Sequence, residues 1–333
     1  MLRDFVFAQN AEKTLFTPGP GPLLEENVRG LGPAFGRGDP AYVELESEVM
    51  EGVSRLSGQE NVVRLQGSAS LAIEIMIANF LHGKVLVVSS GYYSQRLVAM
   101  AESAKRTWGY ISDVVQIGES QISSVDAKFD WVLAAPVETS MGLLVPIDRL
   151  KLLSGTVGAR LMLDATASIG LEQNHELADA AAFSTCKGLF GLTGGAFVTF
   201  SDLQPNQIDS FYLDIRSHQE KKMTGPYHSM MSLHHVLPRI DELVETVRIN
   251  KKRFLRDFSQ EIALPDSSQP MLCTAVLGQV SALDPRAVLY SSRGNGPHSI
   301  VCHLGEAHLG SRSRGDILTQ IFVGSNSASV EEP

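Results

Sequence analysis

The chain has 333 residues, of which 44% are hydrophobic and 20% charged, a composition typical of a globular protein with a large core and more than one domain. Its formal net charge of −9 argues against nonspecific binding to nucleic acid or to an anionic membrane as its main function. The three cysteines are widely spaced, and we find no export signal or membrane-spanning run. We therefore expect a cytoplasmic protein without a disulfide framework or a metal site.

Three regions are predicted along the chain. Residues 1–20 form an N-terminal segment, residues 21–235 a large domain, and residues 236–333 a small C-terminal domain with a disordered tail from residue 324. The large domain begins with a helix over residues 42–56, because Leu45, Val49 and Val53 recur on one helical face. A later helical pattern is interrupted at Pro238 and continues as a long amphipathic helix.

Short apolar runs alternate with helical patterns between about residues 60 and 200. The runs predict buried strands at residues 84–90, 130–136, 159–165, 178–184 and 194–200. Because these runs are apolar almost throughout, the sheet they form should be covered on both faces. The alternation indicates an α/β fold with parallel crossovers, in which ligands bind at the carboxyl ends of the strands.

Lys187 is the one basic residue in the apolar, glycine-rich stretch "DAAAFSTCKGLFGLTGGAFVTF". Burying an ammonium group is costly unless it is paired or used chemically, and a desolvated lysine amine is a nucleophile suited to Schiff-base formation. Asp164 lies at the end of the predicted strand 159–165, and Lys187 follows the next predicted strand, 178–184. The two side chains can therefore line one cleft at the strand ends. The alternatives are a capping or turn role for Asp164 and a solvated loop position for Lys187.

Three further strand ends carry groups that can bind a ligand. The turn "QGSAS" offers backbone amides to a phosphate at a helix N-terminus, "SSGYYSQR" offers Tyr92 or Tyr93 to a flat ring, and "PVETSMG" offers the hydroxyls of Thr139 and Ser140. Taken alone, a Gly-Ser pair before a helix is common as simple capping, and packing is the better explanation for either tyrosine separately. Together with an amine and a carboxylate, they meet the requirements of a phosphorylated pyridine aldehyde.

These stretches also carry a family resemblance. In order, "LFTPGPGPL", "LQGSASLAIE", "VSSGYYSQR", "ETSMGLLVPID", "LMLDATASIG", "FSTCKGLFGLTGGAFVTF" and "MTGPYHSM" resemble the class V aminotransferases, of pyridoxal-phosphate (PLP) fold type I, over roughly residues 14–235. The resemblance is to the 2-aminoethylphosphonate–pyruvate, alanine–glyoxylate and serine–pyruvate transaminases. It implies a mostly parallel central sheet flanked by helices, a small α+β C-terminal domain, and transfer of an amino group from a small amine or amino acid to a 2-oxo acid.

The resemblance also assigns roles to residues. It implies that Lys187 forms the Schiff base with PLP and shuttles a proton, and that Asp164 holds the pyridine nitrogen. It implies that Tyr93 stacks on the ring and that Thr139 lies near the phenolic oxygen. The phosphate-binding residues that it implies are Gly67, Ser68 and Ala69, with Thr185 as an extra donor.

Two implied features concern the partner subunit and the substrate. Thr224 matches a threonine that completes the phosphate site of the neighbouring subunit, which implies a homodimer with shared active sites. The segment "TPGP", with Gly19, would line the substrate entrance. His303 falls where the family carries an arginine that clamps the substrate carboxylate, and a histidine lacks that two-pronged grip.

The chain departs from the family pattern at other positions too. Cys186 replaces the polar amide or histidine that usually precedes the lysine, and Lys221 or Lys222 is a candidate to compensate. The small domain is shorter than expected, and Arg293 or Arg312 is a candidate replacement for the missing arginine.

Two other functions remain open from the sequence. One is a PLP-dependent lyase or desulfurase, because Cys302 resembles the cysteine of the desulfurase loop, although burial of a small thiol is the better explanation for this residue. The other is a non-catalytic relative of the same fold. The presence of both Asp164 and Lys187 argues against that last interpretation.

Overall fold

The structure is a computed structural model that describes residues 1–29, 31–32, 34–36, 38–220, 223–294, 296–309 and 317–324. Lys221, Lys222, Arg312 and the predicted disordered tail from residue 325 lie outside these ranges. The N-terminal part contains α1 (Leu2–Ala11), β1 (Thr14–Phe16), α2 (Glu25–Arg29) and α3 (Pro40–Ser57). The helix predicted over residues 42–56 is thus confirmed as α3, which Asp39 caps by accepting a hydrogen bond from the Ala41 amide.

The strands of the middle part include every predicted one. They are β2 (Asn61–Gln66), β3 (Gly83–Ser89), β4 (Ile111–Gly118), β5 (Trp131–Ala134), β6 (Val137–Glu138), β7 (Leu143–Leu144), β8 (Arg160–Asp164), β9 (Ala180–Ser184) and β10 (Gly195–Phe200). The helices between and after them are α4 (Ala69–Phe80), α5 (Tyr92–Trp108), α6 (Ile147–Val157) and α7 (Ile215–Glu220). Strands β6 and β7 form a separate two-stranded hairpin.

The other strands of this part form one seven-stranded sheet in the order β2-β10-β9-β8-β5-β3-β4. The neighbours from β9 to β4 are parallel, whereas β10 runs antiparallel to both β2 and β9. Alternate residues of β5 enter different cores: Val132 and Ala134 face one, Trp131 and Leu133 the other. Burial on both faces explains the continuous apolar runs and confirms the predicted α/β fold with a mostly parallel sheet.

The C-terminal part contains α8 (Tyr227–Val236), α9 (Ile240–Asp257), β11 (Cys273–Val276), β12 (Val280–Ala282), β13 (Ala287–Leu289), β14 (Ser299–Cys302) and β15 (Ile321–Val323). As predicted, the helical pattern breaks at Pro238, which lies in a short 3-10 turn between α8 and α9. Strand β1 pairs in parallel with β13, so the N-terminal segment joins the C-terminal part. The proposed domain boundaries stay a prediction.

A membrane crossing requires a helix that is both long and apolar. None of the helices in the described ranges has that combination.

Candidate active site

Lys187 lies in the loop between β9 and β10, at the carboxyl end of β9, and is half-buried. Thr185 closes this loop: its hydroxyl donates to the carbonyls of Leu192 and Gly195, and its own carbonyl accepts from the Gly191 amide at 2.8 Å. Because its hydroxyl proton is used within the loop, Thr185 supports the backbone around the lysine. The structure does not present this residue as the extra phosphate donor expected from the resemblance.

Gly19 packs directly against the lysine stem. A Cβ atom built on Gly19 would lie 2.8 Å from Lys187 Cγ, and the residue has a φ of +125°, which side chains disfavour. Two residues later, the Gly21 amide donates to the Cys186 carbonyl at 3.0 Å. The N-terminal segment therefore reaches the reactive lysine, as the predicted entrance segment requires.

Tyr93 forms a wall of the cleft in front of the lysine. It lies in the first turn of α5, and its ring centroid is 5.8 Å from Lys187 Nζ. The ring of Tyr92 packs edge-to-face against that of Tyr93, with the two ring centroids 5.3 Å apart, and Tyr92 is 42% exposed. Of the two tyrosines, the structure brings Tyr93 to the lysine.

Asp164 is the last residue of β8 and only 5% exposed. One carboxylate oxygen accepts from both the amide and the hydroxyl of Thr166, the amide at 3.1 Å. The other oxygen is 3.4 Å from a guanidinium nitrogen of Arg96. Asp164 is therefore a buried carboxylate held in a fixed orientation at the same sheet edge as Lys187.

The turn between β2 and α4 lies at a helix N-terminus, where backbone amides lack intrahelical acceptors. The Gly67 amide already donates to the Gly194 carbonyl at 2.9 Å, so this amide is not part of an anion cradle. Ser68 is the N-cap residue of α4, and its hydroxyl makes no capping bond within the described part of the chain. Ser68 and Ala69 remain the candidates to bind a phosphate, together with the positive end of the α4 dipole.

The described contacts of His303, the residue that matches the family arginine, lie in the C-terminal part of the chain. His303 follows β14, is 5% exposed, and its Nε2 is 2.8 Å from the Thr274 hydroxyl, with its ring against Phe254. Burial keeps the pKa of His303 well below its usual value, so the ring is neutral. Successive residues of an extended chain point to opposite sides. The Cys302 side chain therefore packs in the core that contains Leu171 and Phe190, whereas the His303 ring lies against Phe254.

The remaining candidates lie as follows. Thr139 is buried, at 1% exposure. Thr224 is exposed in the segment before α8, next to the Met223 carbonyl that accepts from Arg64 at 3.2 Å. The half-buried Cys186 has its sulfur 3.6 Å from the Ser184 hydroxyl.

Comparison with known proteins identifies the fold. No protein-family profile matches the chain. A 2-aminoethylphosphonate–pyruvate transaminase from Pseudomonas aeruginosa is 27% identical over 252 residues, which cover 68% of each protein. The crystal structure of an alanine–glyoxylate aminotransferase from Nostoc sp. matches with a TM-score of 0.74 and 17% identity, over 88% of this chain and 89% of its own. A pyridoxamine–pyruvate aminotransferase from Mesorhizobium loti has the same TM-score and 21% identity, over 88% and 87%.

The chain has the fold of the PLP-dependent aminotransferases. In sequence it resembles the class V members, as the motifs indicated. The predicted fold class, fold type I, is confirmed.

Two residues of this candidate site were not identified from the sequence. Arg96 donates to the Ser70 hydroxyl at 2.9 Å, lies 3.4 Å from Asp164, and has its guanidinium carbon 5.4 Å from the Tyr93 ring centroid. It thus links the first turn of α4, the buried carboxylate and the aromatic wall. Its position three residues after Tyr93, on the same helix face, is the signal that could have identified it.

Glu138 is the second missed residue. It is fully buried at the end of β6 and accepts hydrogen bonds from the amides of Tyr93, Ser94 and Ser140 and from the hydroxyls of both serines, at 2.5–3.3 Å. Its carboxylate fixes the start of α5 and the hairpin that carries Thr139. A lone carboxylate directly after an apolar strand, in "PVETSMG", was the available signal.

Proposed function

We propose that the chain is a PLP-dependent aminotransferase that moves an amino group from a small amine or amino acid to a 2-oxo acid. The observation that carries this proposal is the convergence of three groups at one sheet edge: the Lys187 amine, the Tyr93 ring 5.8 Å from it, and the buried Asp164 carboxylate. The names of the sequence relatives and structural neighbours support the same activity.

The residues present fit PLP group by group. The N-terminus of α4, with Ser68 and Ala69, suits its phosphate; the Tyr93 ring suits stacking on the pyridine; and Asp164 suits the protonated ring nitrogen. Lys187 would hold the aldehyde carbon covalently. When bound, PLP supplies an electron sink that stabilises negative charge on the substrate α-carbon.

The chain's own residues would orient this chemistry and move a proton. Lys187 Nζ would take the proton from the substrate α-carbon and pass it to the former aldehyde carbon of the cofactor, so that the amino group stays on the cofactor. Gly19 packs on the stem of the lysine and limits the directions that the amine can take. Asp164, held by Thr166 and Arg96, would keep the proton on the ring nitrogen.

The substrates are proposed from the relatives and from the entrance. The relative named above acts on 2-aminoethylphosphonate and pyruvate, so an amino donor with an anionic group and a small 2-oxo acid are the first candidates. Arg293 lies beside the entrance, with its guanidinium carbon 5.9 Å from the Tyr92 ring centroid, and is the candidate to attract that anionic group.

The desulfurase alternative depends on a reactive Cys302, and the surroundings of that thiol oppose it. Cys302 is 2% exposed, and burial together with the neighbouring Cys273 raises the pKa of its thiol well above the usual value. Only a thiolate is a good nucleophile. We therefore do not favour a reaction at this sulfur.

We also propose a cytoplasmic homodimer in which Thr224 serves the partner's phosphate site. The exposure of Thr224 in the segment before α8 supports a role across an interface. Mixing Lys187→Ala and Thr224→Val chains tests this, because the mixed dimer would contain one intact site made from both chains. Recovery of activity on mixing is expected, and no recovery would refute shared sites.

The activity is tested by absorbance spectroscopy of the purified protein with PLP. A visible band is expected in the wild type and not in Lys187→Ala, and it should disappear when an amino donor converts the cofactor to its aminated form. A lyase would release its product without leaving the cofactor aminated. No visible band in the wild type with added PLP would overturn the cofactor assignment.

A further inference from the structure

A tyrosine of the C-terminal part reaches the same cleft. Tyr290 directly follows β13, and β13 pairs in parallel with β1, with Leu289 opposite Phe16. Since parallel strands run in the same direction, both chains leave this pair on the same side. One continues to Gly19 at the lysine stem, and the other continues as Tyr290.

The loop after Tyr290 crosses the entrance. A Cβ atom built on Gly294 would lie 3.6 Å from the Tyr92 Cβ, and one built on Gly296 would lie 3.0 Å from the Ser140 carbonyl oxygen. Arg293, in the same loop, stands over the Tyr92 ring. This loop therefore covers the start of α5 and the turn after β6, which carry the aromatic wall and the Thr139 hydroxyl.

The Tyr290 hydroxyl is buried, and it makes no hydrogen bond of good geometry with any residue in the described ranges. The side chains of Tyr93 and Thr139 lie close enough to interact with it as weak hydrogen-bonding neighbours, and Cys302 is a further electrostatic neighbour. Burial, and next the interaction with Tyr93, raise the pKa of Tyr290 well above its usual value, so the hydroxyl keeps its proton at neutral pH. A buried donor without a well-aligned partner is costly, and at a cleft wall a bound ligand is the natural acceptor.

We propose that Tyr290 is a specificity-determining residue whose hydroxyl donates a hydrogen bond to an anionic oxygen, carboxylate or phosphonate, of the substrate. This inference rests on the proposed aminotransferase function. The cofactor-facing groups Tyr93 and Asp164 belong to the large domain, whereas Tyr290 shares its loop with Arg293 on the entrance side. The loop thus offers a neutral donor inside and a positive charge at the surface, which together suit an anionic amino compound.

The test compares Tyr290→Phe with Tyr42→Phe. Both substitutions remove a buried hydroxyl without a well-aligned partner in the described part of the chain, but Tyr42 packs against Phe35 and Tyr227. Because neither hydroxyl makes a hydrogen bond of good geometry in the described ranges, both variants should melt close to the wild type. Calorimetry on the PLP-loaded proteins then measures the dissociation constants of propionate and ethylphosphonate, which lack the amine and cannot react.

Tyr290→Phe is expected to bind at least one of these anions roughly 10-fold or more weakly, with unchanged PLP affinity, while Tyr42→Phe binds as the wild type does. The anion that loses affinity identifies the substrate group. Unchanged binding of both anions, or a loss of PLP affinity alone, would overturn the proposal, as would a PLP-loaded wild type that binds neither anion. A wild type without a PLP band would overturn the function and this inference together.

Discussion

Glu138 allows a quantitative test of how the site is held together. Its two carboxylate oxygens accept all five hydrogen bonds described above, and one oxygen serves both the Ser94 amide, at 2.9 Å, and the Ser94 hydroxyl, at 3.0 Å. In Glu138→Gln, the amide oxygen can keep the bonds from Tyr93 and Ser140. The new NH₂ group then faces the Ser94 amide, so two donors point at each other.

The cost follows from these contacts. A buried amide without an acceptor costs about 1–3 kcal/mol, and loss of a negative charge at the N-terminus of α5 costs up to about 2 kcal/mol. A loss of about 3 kcal/mol lowers the melting temperature by roughly 5 °C in a chain of this length. Because the start of α5 carries Tyr93, PLP affinity should fall several-fold at the same time.

Thermal melting and an absorbance titration with PLP measure the two effects. The matched control is Glu44→Gln, a substitution with the same loss of charge on the exposed face of α3. It should melt and bind PLP as the wild type does. If Glu138→Gln melts within 1 °C of this control, the reasoning about the network is wrong.

Three further substitutions test separate contacts. Gly19→Ala should lower PLP affinity and cost about 1–3 kcal/mol of stability, because its Cβ meets the lysine stem at a disfavoured φ, whereas Gly21→Ala, in open space, should change neither. Arg96→Met should weaken PLP binding about 10-fold by leaving Asp164 without its guanidinium partner, and equal affinity by absorbance titration would count against that role. Burial lowers the pKa of His175 to about 4, so this residue's contribution to stability is complete above pH 6.5 and is lost as the pH falls towards 4. Urea denaturation should show a loss of about 2 kcal/mol from this residue between pH 7 and 5, and His175→Gln should reduce the decline.

The strands that the sequence predicted are the ones buried on both faces. Residues 84–90, 130–136 and 159–165 were recognisable because β3, β5 and β8 lie inside the sheet and cannot expose polar side chains. Strand β4 was missed because it is the edge strand, with exposed polar residues such as Asp113 and Gln116 interrupting its apolar pattern. A continuous apolar run reveals a buried strand in the sequence, whereas the mixed polar and apolar pattern of an edge strand is much harder to recognise.

The placement of two residues of the candidate site was predictable for a related reason. Asp164 ends β8 and Lys187 lies in the loop that follows β9, so the parallel pairing of these two strands brings both residues to one edge of the sheet. Glu138 and Arg96 were missed because their roles come from side-chain contacts across elements. Spacing along the chain indicates which residues share a face, but not which hydrogen bonds they form.

The substrate half could not be predicted because it depends on a pairing between distant parts of the chain. His303, which matches the family arginine in sequence, directly follows strand β14, and its side chain lies beside Thr274 in the C-terminal part. The register of β1 with β13 instead brings Tyr290 into the cleft, across more than 270 residues of sequence. The proposed donor at the entrance thus comes from a strand distant in sequence, and only the pairing of β1 with β13 makes it visible.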